Sequence, residues 1–239
     1  MWSSFVTLGV LSVLISYTSG FKLGREIFFF TLPGILLYTV FVFCNLTLIR
    51  RPGGELVKYF PLANVVTAVR IFLVAPTLVL LFRGYYVLGT VLYSLGAISD
   101  AVDGYVARRF RQETVLGIIL DPVGDIFITF ALFYFFWVKG DIPLWLFIVL
   151  IIRYTQFFVG WVVLSMLGAL PDLRATVAGK VVGVMQAIGI IMLLARKVLP
   201  FSWPPAAIDA YLFAILGAAF VSVIVSQTVI GWKALKNII

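Results

Sequence analysis

The sequence predicts an all-α integral membrane protein, with a six-transmembrane-helix core preceded by two additional amino-terminal transmembrane helices. Three observations carry this expectation. Apolar residues make up 63% of the chain and charged residues 12%, with a mean hydropathy of +1.14. A soluble domain has roughly half its residues apolar and about a quarter charged. The apolar residues also fall in runs long enough for spanning helices, which need about 20 such residues. Finally, the formal net charge of +8 suits basic loops at an anionic lipid surface better than a nucleic-acid-binding face in so apolar a chain.

The candidate spans are 3–20, 28–49, 67–83, 86–107, 114–138, 142–166, 176–196 and 208–232. A signal peptide is the competing reading of 3–20. That segment lacks a basic leading region, and Ser19-Gly20 is a poor cleavage site, so an uncleaved helix is expected. After the second span, Arg50-Arg51-Pro52-Gly53-Gly54 stops the helix, and Glu55 to Phe60 is expected to form a short interfacial turn. The domain boundary is placed there, giving an amino-terminal helix pair over 1–55 and a six-helix core over 56–239. Of the remaining spans, 86–107 and 114–138 are joined by a short basic connection and should be antiparallel neighbours. Trp137 and Trp145 suit the membrane interface, and Gly160, Gly168, Gly183 and Gly189 are expected to mark close helix packing.

Orientation follows from the basic residues. With the amino terminus in the cytoplasm and eight alternating spans, eleven Lys and Arg fall on the cytoplasmic side, Arg70 and Arg108 among them, and six on the other. Arg153 remains inside a span. The bias runs in the direction that sets topology. The single cysteine, Cys44, allows no disulfide framework, and a chain without histidine cannot build a His zinc site, a His general base or a His-dependent triad.

Four carboxylates lie within two consecutive predicted spans, where each charge costs about 3 kcal/mol on insertion scales. Asp100 and Asp103 are spaced i, i+3, and Asp121 and Asp125 are spaced i, i+4. Each pair shares a helix face, so all four can converge across the antiparallel helices. Four converging anions repel one another, so either several are protonated or cations neutralise them. An all-oxygen donor set suits Mg²⁺, Mn²⁺ or Ca²⁺, and two such ions form the arrangement used for displacement at phosphorus. Gly104, Ala107 and Gly117 lie on or beside the acidic face and allow close approach, while Arg108 offers a planar fork for phosphate. Only Arg108 and Arg153 stand out as nearby cationic partners for the acids.

Asp100, Asp103, Gly104, Ala107, Arg108, Gly117, Asp121 and Asp125 together match D-x2-D-G-x2-A-R-x8-G-x3-D-x3-D. This resembles the full signature of the CDP-alcohol phosphotransferases. Asn64, Thr67 and Arg70 resemble the N-x2-T-x2-R stretch that opens the family's first core helix, and the likeness spans about 61–232. The resemblance implies that Asp100, Asp103, Asp121 and Asp125 hold two divalent cations, Mg²⁺ or Mn²⁺. It further implies that Asp125 takes the acceptor's hydroxyl proton. Asn64, Thr67, Asp100, Gly104, Ala107, Arg108 and Gly117 would then bind the cytidine diphosphate of a CDP-lipid donor, with a small polar alcohol as acceptor and CMP released. It implies a homodimer among membrane lipids; the charge count places the active site at the cytoplasmic face, and the composition argues against a nucleic-acid partner.

Within the family, Leu120-Asp121-Pro122 and Gly179-Lys180 with Gln186 resemble the phosphatidylglycerophosphate synthase and cardiolipin synthase branch. Arg153, Lys180 and Arg174 are the cations available to bind a phosphorylated acceptor such as glycerol 3-phosphate. The chain departs from that branch at Ile126, Tyr154, Trp161 and Gly183, where Lys, Glu, a second Arg and Thr are usual. Other polar acceptors, inositol phosphate or serine among them, therefore stay open, as does a CDP-choline or CDP-ethanolamine donor with a diglyceride. From a different class, an ion-coupled transporter would explain buried acids but not the small residues and Arg108 at fixed spacing. An inactive assembly protein has no support, because every signature acid is present.

Overall fold

A computed structural model describes residues 21–44, 62–110, 115–166, 177–199 and 206–236. They form seven α-helices: α1 (Phe21–Cys44), α2 (Leu62–Phe82), α3 (Tyr86–Phe110), α4 (Val115–Val138), α5 (Leu144–Met166), α6 (Val177–Val198) and α7 (Ala206–Lys236). There is no strand among the described residues. This is the expected all-helical membrane architecture. The count of eight spans is not reproduced. Among the described residues, three stretches are long and apolar enough to cross a membrane, Lys22–Val40, Gly179–Val198 and Asp209–Trp232. Ala68–Phe82, Tyr86–Ile98, Val123–Val138 and Leu144–Gly160 are shorter apolar stretches. The expected first span and the expected interfacial turn at 55–60 lie outside the described residues.

The helices fall into two compact units, one ending at Ala131 and the other beginning at Leu132. In the first unit α2 packs against both α1 and α3. Leu23 and Ile27 of α1 meet Leu80 of α2 in a buried cluster that also takes Leu92 of α3. Farther along, Tyr38 and Phe72 meet edge to face with centroids 5.3 Å apart. The α2–α3 turn is set by Gly84, whose φ of +85° is a left-handed conformation. Its N–H donates to the Leu81 carbonyl, and that of Tyr85 donates to Leu80, closing the helix end. Just past the turn, a Cβ at Gly89 would sit 2.6 Å from Leu81 Cδ2, so glycine is what lets α3 lie so close to α2. Arg83, at the end of α2, pairs with Glu26 of α1.

In the second unit α7 packs against α5 and α6. The turn before α5 repeats the earlier device: Gly140 has φ +75°, and the Asp141 N–H donates to the Phe136 carbonyl at 2.8 Å. Two glycines of this unit replace bulk at helix crossings. A Cβ at Gly217 would lie 2.6 Å from the Trp145 ring, and one at Gly189 would lie 2.9 Å from Leu216. Lipid supplies little hydrophobic drive for helix association, so such close approach is how membrane helices gain van der Waals contact. The expectation for Gly189 holds. Around Gly160 and Gly183 the space is open, so those two do not mark tight crossings, and Gly168 lies outside the described residues. The outer surface carries many exposed large apolar side chains, such as Phe29, Phe43, Tyr211 and Trp232, as expected where lipid rather than water is the neighbour.

Candidate active site

The signature residues fall on the helices of the first unit. Asn64 and Thr67 lie in the first turns of α2, and Asp100, Asp103, Gly104, Ala107 and Arg108 occupy the last turns of α3. Gly117, Asp121 and Asp125 follow along the first turns of α4. Backbone register therefore keeps the i, i+3 spacing of Asp100 and Asp103 and the i, i+4 spacing of Asp121 and Asp125 on continuous helices. Apart from Asp125, the side chains of these residues lie outside the described ones.

Asp125 is placed in full. Its side chain is 59% exposed, and its Oδ1 lies 3.1 Å from Nη1 of Arg70 on α2, whose own side chain is only 6% exposed. The α4 backbone comes up against that guanidinium at Gly124. A Cβ there would stand 3.4 Å from Arg70 Nε and 3.4 Å from Ile71 Cγ1. Tyr93 of α3, buried in the same unit, lies within electrostatic reach of the Asp125 carboxylate. This corrects one reading of the sequence: Arg70, on the helix expected over 67–83, is a partner of Asp125, where only Arg108 and Arg153 had stood out. The sequence signal available was the N-x2-T-x2-R stretch, but nothing local links Arg70 to a residue two helices later.

The residues assigned to the acceptor belong to the second unit. Arg153 of α5 is buried, and its Nη1 donates to Oε1 of Gln186 on α6 at 2.8 Å. Its guanidinium carbon stands 5.2 Å from the Tyr154 ring centroid and 5.1 Å from that of Phe220. The Gln186 amide in turn donates to the Tyr154 hydroxyl at 3.2 Å. Among the described residues no carboxylate pairs with Arg153, so its partners are a neutral amide and two aromatic faces. Tyr154, which departs from the usual Glu, thus supplies a ring to Arg153 and a hydroxyl to Gln186. Lys180 is exposed in the first turn of α6. Arg174 lies outside the described residues.

Residues 60–231 match the CDP-alcohol phosphatidyltransferase family model. The chain therefore belongs to the CDP-alcohol phosphatidyltransferase family, a family of membrane-lipid transferases. Several curated proteins are similar to it. A probable phosphatidylglycerophosphate synthase of Mycobacterium tuberculosis is 28% identical over 149 residues, covering 60% of this chain and 68% of that protein. A CDP-diacylglycerol–glycerol-3-phosphate 3-phosphatidyltransferase of Bacillus subtilis is 33% identical over 114 residues, or 47% of this chain and 57% of the relative. Its counterpart in Pseudomonas fluorescens is 35% identical over 65 residues, 26% of this chain, and the match spans only 33% of that relative's length. No solved structure matches the chain.

Proposed function

We propose that the protein transfers a phosphatidyl group from CDP-diacylglycerol, or a related CDP-lipid, to glycerol 3-phosphate and releases CMP. The observation that carries this reading is the set of four acids at signature spacing on α3 and α4, whose last member, Asp125, presents an exposed carboxylate anchored by a buried arginine. The names of the relatives support the donor and the acceptor.

The donor set fits hard divalent cations. All four candidate ligands are carboxylates, the chain has no histidine, and Asp125 keeps more than half its side-chain surface open beside its ion pair. Asp100, Asp103, Asp121 and Asp125 would hold Mg²⁺ or Mn²⁺, which when bound offsets the charge of the donor diphosphate. The chain's own residues would do the rest. Asn64, Thr67, Gly104, Ala107, Arg108 and Gly117 would bind the cytidine diphosphate. Asp125 would take the proton of the acceptor hydroxyl as that oxygen bonds to the lipid-side phosphorus. The bond from that phosphorus to the CMP oxygen breaks, and CMP leaves with the electron pair.

For the acceptor, Arg153 favours an anion. Among the described residues its buried guanidinium meets an amide and two rings rather than a carboxylate, which suits a phosphorylated alcohol better than a neutral one. A second reading has some support: a CDP-diacylglycerol–inositol 3-phosphatidyltransferase of Arabidopsis thaliana is 39% identical over 77 residues. The test is CMP release by the purified protein with CDP-diacylglycerol and Mg²⁺, screened over glycerol 3-phosphate, inositol, inositol phosphate, serine and phosphatidylglycerol. Release with glycerol 3-phosphate well above the others supports the proposal, and preference for a neutral alcohol overturns the acceptor assignment. The cytoplasmic placement of the site and a homodimeric state belong to the same proposal. Labelling of a Gln112→Cys variant by an impermeant thiol reagent from the cytoplasmic side alone would support the first, and cross-linking in native membranes would test the second.

A further inference from the structure

We propose that Arg70 is a positioning residue for the reaction: it fixes the carboxylate of Asp125 so that the base faces the acceptor hydroxyl. This rests on the reading of Asp125 as the base. The asymmetry of the pair motivates it. A surface ion pair has two mobile, solvated partners and contributes little. Here the cation is 6% exposed and the anion 59% exposed, at 3.1 Å. The arginine is the fixed half, since its side chain lies inside the first unit with its guanidinium against the α4 backbone at Gly124 and beside Ile71. The carboxylate is the working half, held by Arg70 at Oδ1 with 59% of its side chain exposed. A guanidinium donates along a defined direction in its plane, so holding one carboxylate oxygen limits rotation about the terminal torsion of Asp125 and sets where the other oxygen stands. Proton abstraction needs that oxygen within hydrogen-bond reach of the attacking hydroxyl, and a misplacement of about 1 Å can cost on the order of a hundredfold. Gly124 is part of the device. A methyl group there meets Arg70 at ordinary contact distance, whereas a branched side chain would push the guanidinium away.

The experiment compares Arg70→Gln, Arg70→Lys, Gly124→Ala and Gly124→Val with Asp125→Asn and the double variant Arg70→Gln/Asp125→Asn. Turnover is measured as CMP release, and CDP-diacylglycerol binding is measured without turnover, on detergent-purified protein that elutes as a single folded species. Arg70→Gln should lower kcat by about tenfold to a hundredfold with donor affinity within about threefold. Arg70→Lys should recover part of the loss, and Gly124→Val should lower kcat well below that of Gly124→Ala. Because Arg70 acts through Asp125, the double variant should be no slower than Asp125→Asn alone, a coupling that a general structural role does not give. Additive losses, or a wild-type kcat in Arg70→Gln, overturn the proposal. If Asp125→Asn itself turns over at the wild-type rate, the base assignment fails first, and the two failures are told apart. Should Arg70→Gln not fold, Arg70→Lys and Gly124→Val carry the same comparison, and unchanged kcat in both is the overturning result.

Discussion

Arg70 and Arg153 are both arginines buried in apolar helices, and the two units of the molecule treat them differently. In the first unit Arg70 meets a carboxylate of the chain itself, Asp125 at 3.1 Å. In the second, Arg153 meets the neutral Gln186 amide at 2.8 Å and the faces of Tyr154 and Phe220. A desolvated guanidinium is costly in either place unless its donors are used. One solution commits the charge internally and organises an acid. Among the described residues the other meets the need for donors and polarisable neighbours with an amide and two rings, the arrangement on which the proposed acceptor role rests. The identity of the contacting group, rather than the presence of an arginine, distinguishes the positioning role proposed for Arg70 from the acceptor-binding role proposed for Arg153.

The comparison can be broken at its acidic side with the largest expected effect. Removal of divalent metal by EDTA should abolish CMP release, and Mg²⁺ or Mn²⁺ should restore it; full turnover in excess chelator would remove the metal-held acids from the picture. Next in size is Asp125→Asn, which keeps the shape of the side chain and one oxygen facing Arg70 but removes the base. General-base catalysis is typically worth about 10²–10⁴ in rate, so kcat should fall by that order while CDP-diacylglycerol still binds. A loss confined to donor binding would make Asp125 a ligand alone.

On the other side of the comparison, Arg153→Gln should raise the KM for glycerol 3-phosphate by about tenfold to a hundredfold, the range of a hydrogen bond to a charged group, and leave CDP-diacylglycerol affinity nearly unchanged. Equal damage to both substrates would show that Arg153 is a packing element like its aromatic neighbours. The smallest effect is expected at an exposed pair, which serves as the control for both. Glu26→Gln breaks the contact with Arg83, whose side chain is 50% exposed. Such pairs contribute at most about 1 kcal/mol, so the thermal midpoint should shift only slightly and CMP release should stay at the wild-type level. A large activity loss there would mean that the α1–α2 contact matters to catalysis.

Much of the helical layout was legible because hydropathy and turn chemistry are local. The span expected at 142–166 is α5 at Leu144–Met166, and its start is fixed by Gly140 and Pro143. Ends were less legible. The span expected from 28 begins at Phe21, and the one expected over 208–232 runs over Ala206–Lys236. Backbone hydrogen bonding continues past the apolar stretch, and charged residues there find partners, as Glu26 does with Arg83 and Asp209 does with Arg196 at 2.6 Å.

By itself the sequence determined the class of protein and pointed to the acids proposed for the site. Composition excludes a soluble domain, and a run of acids and small residues at fixed helical spacing depends only on the 3.6-residue repeat of one chain. Tertiary structure alone decided which cation meets which group. The carboxylate that meets Arg70 and the amide that meets Arg153 lie on other helices, and no local pattern encodes which side chains two packed helices bring to about 3 Å of each other. Glycine shows the same division. Gly84 and Gly140 sit beside charged residues at helix ends, where a turn could be read directly. That Gly189 and Gly217 admit Leu216 and Trp145 while Gly160 and Gly183 face open space follows from where helices cross, which is set by the packing of whole surfaces rather than by any residue's neighbours in the chain.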